Sequence, residues 1–195
     1  MAFTKLLRAL VLASVMIGPA WAADDRLGVP GPIDFGETRY DLAFVFEPQP
    51  GYVKQEYLPN GEAADTYRSM VLVEFLAGDL TAADVARRQI GMLEERRGTD
   101  PFVNYDILMS SDKSSIVLDF LLSGLQEDGR RIVEWNGYRY MRSTDAEGDT
   151  GTLLTGISRR AYGDDITSFV ENLNDVRNAD IASLVALEIT PETVE

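Results

Sequence analysis

Three acids sit inside apolar, strand-like runs: Glu74 in Ser69–Leu76, Asp119 beside Val117 and Leu121, and Glu134 beside Ile132 and Tyr138. Two carboxylates held about 5–9 Å apart across a cleft can divide acid and base roles, as in glycoside hydrolysis. Glu74, Asp119 and Glu134 are therefore the candidates for acid–base chemistry. The alternative is structural, with each acid paired to an arginine of a neighbouring strand such as Arg139 or Arg159. The chain has no His and no Cys. That excludes the usual zinc and copper sites, a Ser-His-Asp triad and a Cys nucleophile. Carboxylates, Tyr, Lys54 and Lys113 remain as acid–base groups.

Two further clusters carry possible chemistry. Asp145, Glu147 and Asp149 alternate in one loop, and a metal held there would be a hard cation such as Ca²⁺. Gly148 precedes the third acid, and Gly156 stands where an EF-type loop needs its bidentate Glu, so a solvated acidic loop is the competing reading. Ser110-Ser111-Asp112-Lys113 matches the S-x-x-K of penicillin-binding proteins. It lies between two strand-like runs, where such residues build a turn. No cofactor is implied.

Trp135, Tyr138 and Tyr140 gather aromatic surface on one strand, with Arg139 among them. The period of two turns Trp135 away from both tyrosines, so one side packs into a core. The other offers a surface for a ligand or a protein partner. Four arginine pairs (Arg87-Arg88, Arg96-Arg97, Arg130-Arg131, Arg159-Arg160) read as partners for surplus acids.

The elements that must position these residues follow from patterning. Alternation marks strands at 39–46, 52–58, 69–76, 104–109, 115–123, 130–142 and 152–162. Thr81 and Asp84 form a capping box at the start of a helix that runs to Gly98. A second helix begins at Asp164-Asp165 with an apolar stripe of Ile166, Phe169, Val170, Leu173 and Val176, and Asn178 is its expected end or kink. Residues 180–189 are ambiguous between helix and strand, with helix favoured. The expected fold class is α+β, an antiparallel sheet of about six to seven strands with two main helices packed on it. Residues 23–37 read as an extended lead-in, 38–190 as one domain and 191–195 as a frayed tail.

At the N-terminus, Lys5 and Arg8 precede the apolar run 9–17, and Ala20-Trp21-Ala22 supplies a small-residue cleavage site. This is the layout of a secretory signal peptide over residues 1–22. The expected location is the periplasm, or full secretion. Net charge is −14, and the leader holds basic residues but no acid, so the exported part is more acidic still. Such a chain is repelled by nucleic acid and anionic lipid. No later stretch has the ~20 apolar residues of a membrane span.

The strand pair, the segment Tyr57-Leu58-Pro59-Asn60-Gly61-Glu62 running into Tyr67-Arg68-Ser69-Met70, the helix, the meander and the C-terminal helix resemble the PsbP-like α/β/α sandwich. That superfamily includes small exported bacterial proteins of the DcrB type, and the resemblance covers roughly Thr38 to Glu188. It implies an accessory or binding protein with a protein or small-ligand partner, and it brings no catalytic signature. An exported binding protein is thus the leading expectation. A small carboxylate-dependent hydrolase and a Ca²⁺-binding protein are the alternatives.

Overall fold

The computed structural model describes residues 23–145 and 148–190. Residues 1–22, read above as a signal peptide, Ala146, Glu147 and residues 191–195, read as a tail, lie outside the described residues. Alternating side chains and tight turns give eight strands: β1 (Ile33–Phe35), β2 (Thr38–Gln49), β3 (Tyr52–Pro59), β4 (Ser69–Ala77), β5 (Asn104–Met109), β6 (Ser115–Leu125), β7 (Arg131–Thr144) and β8 (Thr150–Tyr162). They form one antiparallel sheet in the order β1-β2-β3-β4-β8-β7-β6-β5, curled into a half-barrel. Among the described residues three short helices accompany it: α1 (Ala82–Arg97), α2 (Ile166–Glu171) and α3 (Leu173–Ala186).

This corrects the expected six to seven strands with two main helices. The additional strand, β1, is three residues long, too short to show a period, and it pairs Ile33 with Tyr40. It lies in the stretch read as a lead-in, which also buries Leu27, Val29, Ile33 and Phe35. The expected second helix is two helices. The break is at Asn172, not Asn178: its backbone N–H and its side-chain amide both bond to Ser168 O, and its ψ of 2° leaves the helical range. Residues 180–186 are helical. No helix among the described residues is long and apolar enough to cross a membrane.

The central strands are buried along nearly their whole length, because both faces are covered. On one face α1 lays Ala86 and Leu93 against Leu72, Leu118, Phe120, Tyr138, Tyr140 and Leu154. The helix starts where Thr81 accepts from Asp84 N and Asp84 bonds back to Thr81 N, and Arg96 and Arg97 lie in its last turn, at the negative end of its dipole. On the other face Leu184 of α3 joins Val71, Val73, Trp135, Leu153 and Ile157, with the 27–35 segment beside them. Two ion pairs fasten α3 there. Arg159 of β8 binds both oxygens of Asp180 at 2.7 Å, and Arg177 of α3 binds both oxygens of Asp119 at 2.7 Å.

Candidate functional site

The period of two sends Tyr52, Lys54 and Glu56 of β3 to the face under α1. Pairing with β4 sets Lys54 directly opposite Glu74. The next strands place Leu154 and Tyr140 in the same row. The acids of this group are buried: the side chains of Glu56 and Glu74 are 3% and 5% exposed. Lys54 Nζ lies 2.8 Å from Glu56 Oε1 and 3.9 Å from Glu74 Oε1. Tyr52 donates its hydroxyl to Glu74 Oε2 at 2.6 Å. Glu74 Oε1 accepts no hydrogen bond among the described residues.

Burial pushes the Glu74 carboxyl above the ordinary carboxylate range, and Glu56 adds to the shift; Lys54 and the Tyr52 hydroxyl oppose it. Burial works against the Lys54 ammonium, but Glu56 and Glu74 outweigh it and raise its pKa. Burial and the Glu74 charge together drive the Tyr52 hydroxyl upward. The same causes raise Tyr140. Each hydroxyl therefore stays a neutral hydrogen-bonding group at neutral pH.

Between this group and α1 lies a cavity of about 230 Å³. Tyr52, Glu74 and Tyr140 line it from the sheet, Val85 and Arg88 from α1, and Leu80 from the β4–α1 connection. That connection is fastened in place: Thr152 Oγ1 donates to Leu80 O at 2.7 Å, and Arg142 donates to Gly78 O at 2.8 Å. The result is a small pocket, mostly apolar, with one buried carboxylate among its walls. Pockets of this make-up are the common form of small-molecule sites.

The three sequence-predicted acids are not brought together. Glu74 lines the pocket. Glu134 is on the same face of the sheet but is committed elsewhere: Arg160, its direct cross-strand neighbour, donates to it at 2.6 Å, and Tyr67 donates at 2.8 Å. The Arg160 guanidinium also lies 3.9 Å from the Tyr67 ring centroid. Asp119 points to the opposite face, where it binds Arg177 and accepts from Trp135 Nε1 at 3.2 Å. The partner arginines are thus Arg160 and Arg177, not Arg139 or Arg159. Arg159 and Arg160, adjacent on β8, serve opposite faces of the sheet, as the pleat requires.

The expected aromatic surface is not a surface. Trp135 and Tyr140 are 1% exposed and Tyr138 is 5% exposed. Trp135 packs with the α3 core and the tyrosines with the α1 core, and of the three only Tyr140 reaches the pocket. Arg139 donates from Nη1 to the carbonyls of Val185, at the end of α3, and Leu187, just beyond it, both at 3.1 Å.

The 145–149 loop closes on itself, with Asp149 N–H donating to Asp145 Oδ1 at 2.9 Å. Glu147 lies outside the described residues, and no set of three metal-ligating side chains converges among the described ones. Ser110-Ser111-Asp112-Lys113 is a turn: Asp112 Oδ1 accepts from Ser110 Oγ, Ser114 N and Ser114 Oγ. Those bonds hold its carboxyl down at about 2.

Sequence reasoning named Glu74 and Lys54, placed Arg88 only among the arginine pairs, and missed Tyr52 and Glu56. A Tyr-x-Lys-x-Glu alternation reads as a solvent face on its own. Only the β3–β4 register and the helix above it reveal a buried site.

No curated protein and no solved structure matches the chain. A protein-family model matches residues 27–189, from ahead of β1 to beyond α3. The chain belongs to that family, which is uncharacterised.

Proposed function

We propose that this is an exported binding protein that holds a small, largely apolar ligand in the pocket beneath α1. The observation that carries the reading is the 230 Å³ cavity with the buried Glu74 carboxylate in its wall. The pattern of residues 1–22 supports export to the periplasm, where the partner is then to be sought. The binding surface moves from the Trp135–Tyr140 strand to the pocket, because those aromatics are buried.

The paired-carboxylate hydrolase has less support. Glu74 has no second catalytic carboxylate beside it: Glu56 is held by Lys54, Glu134 by Arg160 and Asp119 by Arg177. The purified chain should gain thermal stability with small apolar compounds such as 2-phenylethanol, and Leu80→Trp should abolish the gain by filling the cavity. An unchanged melting temperature across such a panel, or equal gains in Leu80→Trp, would remove the basis for the reading. Export is tested separately: cell fractionation should find a periplasmic form whose N-terminus is Ala23.

A further inference from the structure

The charges beside the pocket do not cancel. Glu56 and Glu74 flank a single ammonium, Lys54, and that ammonium is 2.8 Å from Glu56 but 3.9 Å from Glu74. The longer distance exceeds hydrogen-bond reach, so Glu56 takes the cation and Glu74 is left with the surplus. The other groups facing Glu74 do not make up the deficit. Tyr52 gives one hydrogen bond to Oε2, and Tyr138 and Tyr140 are neutral hydroxyls driven further from ionisation by burial. Arg88 of α1 also lines the pocket but is exposed, where water screens its charge. Among the described residues, Glu74 Oε1 remains without a hydrogen-bond donor. A buried acceptor in that condition marks the place of a missing donor.

Resting on the pocket reading above, we propose that the ligand is a small apolar primary amine whose ammonium sits on Glu74. An ammonium supplies both of the things absent here, a donor for Oε1 and a positive charge against the surplus negative one. An alcohol supplies only the first, and a carboxylate supplies neither. Size follows from volume. A cavity of 150 Å³ accepts benzene, so about 230 Å³ takes on the order of nine non-hydrogen atoms by proportion. Leu76, Leu80, Val85 and Leu154 contact the apolar body.

Calorimetric titration of the purified chain with 2-phenylethylamine, 2-phenylethanol and phenylacetate tests this at neutral pH. These probes share one ring and differ in the head group. The amine should bind about tenfold or more tighter than the alcohol, the margin of a charge-assisted over a neutral hydrogen bond, and phenylacetate should be weakest. Glu74→Gln should bring amine and alcohol to similar affinity. Equal affinity of amine and alcohol for the wild-type chain overturns the amine proposal and leaves the pocket reading standing. So does an amine preference that survives in Glu74→Gln. If none of the three probes binds, both fail. The wild-type comparison decides by itself if Glu74→Gln does not fold.

Discussion

Lys54 and Glu74 stand directly opposite each other on β3 and β4, yet the Lys54 ammonium is 1.1 Å closer to Glu56, two residues along its own strand. The cross-strand partner is thus the less satisfied one. Among the described residues, Lys54 nevertheless is the only ammonium that the two carboxylates share. Lys54→Met preserves the aliphatic stem and strands both acids in a low-dielectric site. Removing one partner of a buried pair costs about 3–5 kcal/mol, so the urea midpoint of Lys54→Met should fall steeply at pH 7. It should recover in part as pH is lowered, because the Glu74 carboxyl, already raised by burial and now without its ammonium, takes up a proton.

Glu134 and Arg160 form a self-contained unit with Tyr67, away from the pocket lining. Glu134→Leu and Arg160→Met should each destabilise by about 3–5 kcal/mol, because each leaves an uncompensated buried charge. The double variant should cost much less than the sum, since replacing both members with apolar groups is often near neutral. Equilibrium unfolding of the four chains gives the coupling directly. A sum of two independent losses would show that the pair does not act as one.

Asp180 and Arg159 join α3 to the sheet through two bonds of 2.7 Å. Asp180→Asn keeps the shape but loses the charge, at about 2–3 kcal/mol for a charge-assisted bond. The loss should be local. Hydrogen exchange should speed up at α3 amides while β6 and β7 stay protected.

Asp100 and Glu74 make opposite contributions to pH dependence. Burial alone would raise the Asp100 carboxyl, but hydrogen bonds from Ser123 N–H and hydroxyl, Phe102 N–H and Arg96 outweigh it and hold its pKa below 3.8. Its contribution is therefore full above its unfolded pKa and is lost as pH falls from about 4 through the folded value. Glu74 is raised above 4.5. The unfolded chain gives up that proton first, so stability is lost as pH rises from about 4.5 through the folded value. Urea midpoints measured from pH 2 to 8 should show a shallower acid limb in Asp100→Asn. Glu74→Gln should flatten the decline above about 4.5 instead.

Local signals in the sequence were strong where one residue meets its own neighbours. The Thr81–Asp84 capping box, the Asp112 turn and the alternations of β2 to β8 all depend on contacts a few residues apart, and patterning marks each of them. The site was only partly legible because it depends on contacts across the sheet. Lys54 is set opposite Glu74 by a register that no single strand encodes, and the pocket beside them is closed by a helix that begins at Ala82. The same reasoning explains Asp119 and Glu134, whose arginine partners come from α3 and from β8. Helix ends followed competing side-chain bonds: Asn172 captures Ser168 O, whereas Asn178 stays within α3.

The sheet order carries a consequence for how the chain acquires its structure. Within β1 to β4 and within β5 to β8, every pairing is between sequence neighbours. The one non-local seam is β4 with β8, joining Ser69 to Arg159 and Ala77 to Gly151. Two arrays of hairpins can therefore zip independently on a microsecond scale, whereas closing the seam must first overcome the entropy of a long loop. The folding rate should accordingly respond to substitutions along the β4–β8 seam more than to those in either outer hairpin. The pocket, built from β3, β4, β7, β8 and α1, exists only once that seam has closed.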